Sequence, residues 1–311
     1  MDRREFATTV AAVATGVTLR GPARPGALPT RRLGRTELEV PILSLGGHHV
    51  GLSGSERAAR ELIDVALEEG IRFFDTAESY QSGRSERWIG AALKGRRDAV
   101  LLMTKTYAPA ERSAESARRH LDGSLERLQT DHLDLWQLHS VQGAEDVDRA
   151  FGRGGAMEYI LEAKAQRLVR YVGVTGHVTP LAHRRALEYW DRGLRFDAMQ
   201  LPINPIDYHQ LSFQRQVLPM LVERGIGVIA MKTSADGALL KQGVCSIEEC
   251  LRYVWSQPVS VAVVGMERPE LVRRNAQLAR AFTAMPPAEL EALRARIAPR
   301  ARLGLEWYKR G

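Results

Sequence analysis

The chain has 311 residues, of which 44% are hydrophobic and 26% charged, and it carries a formal net charge of +7. Those proportions exclude bulk disorder, and no apolar run reaches the ~18 residues that a membrane-spanning helix needs. The arginines are scattered among acids rather than set in a basic stripe with aromatics, which excludes a nucleic-acid face. The two cysteines, Cys245 and Cys250, are too few and too local for a disulfide framework or a structural zinc site.

Residues 1–29 read as a leader followed by a linker. Arg3 and Arg4 precede Phe6 and an Ala/Thr/Val-rich run ending at Leu19, the order found in a bacterial twin-arginine signal. The run is too short and too weakly apolar to anchor stably in a membrane. Beyond it, Gly21–Pro29 has the Pro/Gly density of a flexible linker. The expectation is export by the twin-arginine machinery to the periplasm or cell envelope. A cytoplasmic protein with a nonspecific start is the alternative.

From Thr30 the chain alternates strand and helix. Arg32–Pro41 has a turn at Gly34–Glu37 between apolar flanks and reads as a hairpin. Strands are expected at Ile42–Leu45, Ile71–Phe74, Val100–Met103, Leu133–Leu138, Tyr171–Val174, Asp197–Leu201, Gly227–Met231 and Val259–Val264. Between them, segments such as Arg57–Glu69 and Ala114–Leu128 repeat apolar residues at the three- and four-residue spacing of amphipathic helices. Strand–helix alternation demands a parallel sheet, and eight such units close a barrel. No Gly-x-Gly-x-x-Gly follows any strand, which argues against the alternative, a doubly wound open sheet. The expected fold class is α/β, a (β/α)8 TIM barrel over residues 30–311 with an N-terminal hairpin. A C-terminal extra helix is expected at Ala288–Ile297, followed by an exposed tail.

Chemistry in such a barrel sits where strands end. Asp75 follows the second barrel strand, Lys105 the third and His139 the fourth, with Tyr80 five residues past Asp75. A phenol is a poor proton donor or acceptor near neutral pH, and a neighbouring ammonium such as Lys105 would lower the Tyr80 pKa. Asp75 would keep the lysine charged and fixed, and His139 would orient a substrate oxygen. Taken singly, each has a structural reading as a cap, a snorkelling lysine or a packing ring. Together on one rim they make a coherent acid–base set.

At this point the sequence resembles the aldo-keto reductases. Phe73-Phe-Asp-Thr-Ala-Glu-Ser-Tyr80 with Gly83-Arg-Ser-Glu86 is similar to that family's most diagnostic block. Leu133–His139, the pair Gln200 and Asn204, and Arg268–Asn275 after Val264-Gly-Met match further blocks in order. The resemblance implies a tetrad of Asp75, Tyr80, Lys105 and His139, with Tyr80 donating a proton. It implies hydride transfer from a nicotinamide dinucleotide to an aldehyde or ketone, with a small-molecule carbonyl as substrate. NADP(H) is the favoured cofactor and NAD(H) the alternative.

The resemblance also implies a cofactor set of Gly47, Thr175, Gln200, Met231, Lys232, Leu239, Gly265, Met266, Glu267, Arg268 and Asn275. A phosphate site built from the loops after strands seven and eight suits a TIM barrel independently, and amides at the start of the last strand's helix favour anions. His48, His49 and Asn204 are expected on the substrate side. Some positions depart from the pattern. Thr175-Gly-His177 stands where Ser-Asn is common, and Met231 stands where an aromatic ring often stacks. Glu267 stands where a base usually meets the 2′-phosphate. Two rival readings stay open: a noncatalytic cofactor-binding regulatory or redox-sensing subunit, and a metal-dependent isomerase or hydrolase using His48, His49, His139 and Glu78. Two adjacent histidines without a fixed third ligand favour no metal site.

Overall fold

A computed structural model describes residues 26–107 and 109–309. Arg3 and Arg4, and most of the leader from which export was expected, therefore fall outside the described residues. The folded unit reaches further back than the expected boundary at residue 30. Leu28 is buried in the core, and the Pro29 carbonyl accepts a hydrogen bond from the Ile42 amide at 2.9 Å.

The chain opens with the hairpin. Strands β1 (Thr30–Arg32) and β2 (Glu39–Pro41) pair antiparallel, with Arg31 opposite Val40. Eight parallel strands follow: β3 (Leu43–Gly46), β4 (Phe73–Asp75), β5 (Leu101–Thr106), β6 (Leu133–Leu138), β7 (Val169–Thr175), β8 (Ala198–Pro202), β9 (Gly227–Met231) and β10 (Val261–Val264). Pairing of β10 with β3 closes them into a barrel, with Ala262 beside Leu43. The short, apolar, β-branched runs of the sequence are strands buried on both faces, as a parallel barrel requires.

Inside, Phe73, Met103, Leu135, Ala198, Ile229 and Val261 pack on Leu33, Leu38 and Val40 of the hairpin. The hairpin is thus a plug that seals one end. Its turn approaches the barrel so closely that a Cβ on Gly34 would lie 2.3 Å from the Gly227 amide, and Gly34 has φ +57°. Both facts require glycine there.

The helices form the outer layer: α1 (Gly47–Val50), α2 (Glu56–Glu68), α3 (Arg84–Leu93), α4 (Ala114–Leu128), α5 (Ala144–Phe151), α6 (Ala156–Ala165) and α7 (Pro180–Asp191). They continue with α8 (Phe213–Gln216), α9 (Leu218–Arg224), α10 (Ala238–Lys241), α11 (Ile247–Trp255), α12 (Pro269–Arg280) and α13 (Pro287–Ile297). Helix α2 illustrates the rule. Ser55 caps it by accepting the Ala58 amide, and Ala59, Leu62, Ile63 and Ala66 form its buried stripe. The expected C-terminal extra helix is α13.

The chain's end differs from expectation. Leu305, Glu306, Tyr308 and Lys309 are buried, not exposed. The Lys309 ammonium donates to Asp207 at 2.6 Å, Glu306 at 2.7 Å and the Gln210 carbonyl at 3.0 Å. Asp207 and Gln210 lie just beyond β8, so the tail folds back against the strand-end rim. A charged tail reads as solvated only when its partners, a hundred residues away, are unknown.

Candidate active site

Strands β4, β5 and β6 deliver three of the four expected groups to one rim. Asp75 is the last residue of β4 and pairs in register with Met103 of β5. Lys105, also in β5, is buried and forms an ion pair with the Asp75 carboxylate. Its ammonium also donates to the Thr76 carbonyl at 2.7 Å and to the Tyr80 hydroxyl at 3.1 Å. All three ammonium donors are therefore engaged within the protein. Tyr80 arrives from the turn after β4, and its ring lies edge-on to His139 at 5.8 Å between centroids. The structure brings Asp75, Tyr80, Lys105 and His139 together.

The electrostatics differ from the sequence expectation in one respect. Lys105 was expected to lower the Tyr80 pKa, but burial of the phenol outweighs the ammonium and the net shift is upward. Desolvation disfavours the charged form of any acid, and here it exceeds the Coulombic gain. Burial alone would lower the Lys105 pKa, yet Asp75 and the Tyr80 oxygen raise it, so the lysine stays cationic. Burial, with Lys105 and His177 nearby, holds His139 well below its ordinary range, so its imidazole is neutral. Its Nδ1 is buried without a hydrogen-bond partner.

Several supporting residues carry no sequence motif. Arg112 makes a bidentate pair with Asp146, at 2.9 and 2.8 Å. It also donates to the carbonyls of His139 at 2.8 Å and Ser140 at 2.9 Å. This buried guanidinium fixes the backbone on which His139 stands. Glu78 accepts the Tyr107 amide at 2.8 Å, and the Tyr107 ring packs edge-on to His139 at 5.3 Å. A basic residue 34 positions from its acid, or an acid spent on a backbone amide, leaves no periodic signal to find.

The adjacent histidines diverge. The His48 ring lies edge-on to Tyr80 at 5.2 Å, and its Nδ1 is 3.2 Å from the Gln81 amide nitrogen. His49 turns toward Glu267, 3.6 Å away, over the loop after β10. A Cβ on Gly265 would come within 2.2 Å of that ring, so only glycine leaves His49 its seat. Among the described residues no group of three or more His, Cys, Asp or Glu side chains is arranged to hold a metal.

The remaining candidates lie at the strand ends and in the loops and helices that follow them. Thr175 and Gln200 end β7 and lie within β8 respectively, and both are buried. Gln200 accepts from Gln137 at 3.0 Å. Gly47 begins α1, and its carbonyl accepts the Ser85 hydroxyl at 2.7 Å. Met231 closes β9, and the Lys232 ammonium after it pairs with Asp236 at 2.9 Å. Met266 is fully buried, Glu267 and Arg268 are exposed, and Asn275 is buried on the inner face of α12. Leu239 is fully buried, which leaves only its backbone available to a ligand.

Asn204 is not available at all. Its amide donates to the Lys232 carbonyl, Glu306 and Tyr308, and its oxygen accepts the Ile206 and Asp207 amides. It ties the tail to the rim and does not face the mouth as the substrate-side expectation had it.

The family model described as "Aldo/keto reductase family" matches residues 42–246. The chain is 32% identical over 225 residues to the Bacillus subtilis uncharacterized oxidoreductase YrpG, covering 67% of each protein. It is 29% identical over 214 residues to the Escherichia coli methylglyoxal reductase YeaE, covering 67% of this chain and 69% of that protein. Among solved structures, the holo form of the Bacillus halodurans aldo-keto reductase AKR11C1 superposes with a TM-score of 0.73 at 24% identity. That match covers 91% of this chain and 99% of the other and speaks to the fold.

Proposed function

The chain belongs to the aldo/keto reductase family, and from that premise we propose that it is an NAD(P)H-dependent carbonyl reductase with Tyr80 as proton donor. The observation that carries this reading is the state of the Tyr80 hydroxyl. It accepts from Lys105 at 3.1 Å, and burial keeps its proton on at neutral pH. Its own O–H is left to donate outward, toward the mouth flanked by the His48 and His139 rings. As that proton leaves for a carbonyl oxygen, the Lys105 ammonium stabilises the phenolate, and Asp75 holds the ammonium in place. A neutral His139 is suited to donate a hydrogen bond to the same oxygen and orient it.

A nicotinamide dinucleotide would supply the hydride. The residues present fit such a group. Arg268 stands exposed at the N-cap of α12, whose first-turn amides favour an anion, and the buried His139 Nδ1 awaits a partner. Arg268 and the amides after β10 would hold the phosphates, with Thr175 and Gln200 near the nicotinamide. Membership of the family favours NADP(H), with Arg268 matched to a 2′-phosphate and Glu267 opposed to it.

The relative named as a methylglyoxal reductase makes small reactive aldehydes the first substrates to try. The test is steady-state oxidation of NADPH and NADH, followed by absorbance, across a panel of aldehydes and ketones. Turnover with alcohol formation is expected. Tight cofactor binding with no oxidation across the panel would instead support a noncatalytic regulatory subunit.

A further inference from the structure

The chain's two cysteines take no part in the rim, yet the fold sets them against each other. Helix α11 begins with a complete capping box. Ser246 accepts the Glu249 amide at 3.1 Å, and the Glu249 carboxylate accepts the Ser246 amide at 2.8 Å. With Ser246 as the cap, Cys245 is the residue before it and Cys250 the fourth helical residue. Side chains at those two positions fold onto each other, ordinarily as a hydrophobic staple. Here both halves of the staple are thiols. Both are reduced, with Cys245 6% exposed and Cys250 fully buried. The Cys245 amide is anchored to the Leu239 carbonyl at 3.3 Å. Beside this turn a cleft of about 220 Å³, lined by Gly243, Val244, Arg296, Ile297 and Arg300, reaches the residue before Cys245.

We propose that Cys245 and Cys250 form an oxidisable dithiol, closed to a disulfide across the first turn of α11 by a hydroperoxide. The two sulfurs are not equivalent. Cys245 keeps 6% exposure whereas Cys250 has none, and the Cys245 thiol is pushed down while burial helps push Cys250 up. Cys245 is therefore the attacking sulfur. Its thiolate takes the terminal oxygen of the hydroperoxide, the O–O bond breaks, and water or an alcohol leaves with the proton, giving a sulfenic acid. Cys250 then loses its proton and attacks the Cys245 sulfur. The S–O bond breaks, a second water leaves, and the S–S bond forms. Two electrons pass from the dithiol to the hydroperoxide. The proposal is independent of the carbonyl chemistry, because neither sulfur belongs to that site.

The test exposes the full-length protein to hydrogen peroxide and reads intact mass and a nonreducing peptide map. With only two cysteines in the chain, the readout is unambiguous. The expected result is loss of two hydrogen atoms per chain and a Cys245–Cys250 cross-link reversed by dithiothreitol. Cys250→Ser should stop at a sulfenic acid on Cys245 that dimedone traps, and Cys245→Ser should leave Cys250 unmodified under the same exposure. A wild-type mass unchanged by peroxide would overturn the proposal whether or not either variant folds. So would a cross-link between two chains, or oxidation of Cys250 in the Cys245→Ser variant.

Discussion

Two buried clusters on the same rim are built from the same residue types. In one, Asp75, Lys105 and Tyr80 meet at the ends of β4 and β5. In the other, Asp207, Lys309 and Tyr308 meet Glu306 and Asn204 where the tail returns. Both contain a lysine ion-paired to an aspartate, and both push a tyrosine pKa upward through burial. They differ in what is left over. In the tail cluster Tyr308 donates to Glu306 at 2.9 Å and accepts from Asn204 at 3.1 Å, so its hydroxyl is spent. In the barrel cluster Tyr80 accepts from Lys105 and keeps its proton for another partner, next to a His139 nitrogen with none. Burial of an Asp–Lys–Tyr set therefore does not mark a reactive site. Unspent hydrogen-bonding capacity at an accessible mouth does.

The comparison can be broken from the structural side first. Lys309→Met leaves Asp207 and Glu306 buried without their cation. It should cost about 3–5 kcal/mol of stability, read by denaturant unfolding, with turnover of the folded fraction retained. A cost near zero would mean that the tail cluster is not a latch. Burial pushes Asp207 up to about 6 even against the pull of Lys309, and further up without it, so the penalty should grow as the pH rises above about 6. The barrel floor provides a control without charges. Leu33→Ala empties the plug beneath the strands and should cost about 2–5 kcal/mol while leaving cofactor affinity unchanged. Altered affinity would mean that floor and rim are coupled.

Smaller effects sharpen the reading of the mouth. Glu267→Lys should strengthen binding of the 2′-phosphorylated cofactor by about 1–3 kcal/mol and leave the unphosphorylated form nearly unchanged. Equal dissociation constants before and after would show that residue 267, which faces His49, does not meet the ribose. The pH profile should change least. On the proposed mechanism, reduction requires a protonated Tyr80 and a neutral His139. The first is lost only above the ordinary phenol value of 10.0 and the second only below the ordinary imidazole value of 6.5. kcat/KM should therefore be flat between those limits. A limb centred on 6.5 would contradict the burial of His139.

The barrel was legible because its signals are local. Ala114–Leu128 is a helix over the very residues its periodicity predicts, with Ser113 capping it. The expected strand Leu133–Leu138 is β6. The four rim residues were legible because each lies at the end of a strand or in the loop that follows it. The rest depends on partners far apart in the chain. Arg112 and Asp146 are 34 residues apart, and Lys309 and Asp207 are 102 apart. No window of sequence joins such pairs, so the clamp behind His139 and the buried tail had no signature. The upward shift of Tyr80 was missed for a related reason. A neighbouring lysine can be read from a motif, but the depth of burial that opposes it cannot.

The most direct test of the central claim is the paired turnover of Tyr80→Phe and Tyr308→Phe with a reactive aldehyde, each measured on folded protein with its cofactor affinity. Removing the unspent hydroxyl should lower kcat by about 10²–10⁴-fold with little change in cofactor binding. Removing the spent one should leave kcat within a fewfold of wild type and appear instead as about 1–3 kcal/mol of lost stability. Comparable kcat in both variants, or wild-type kcat in Tyr80→Phe, would contradict the account.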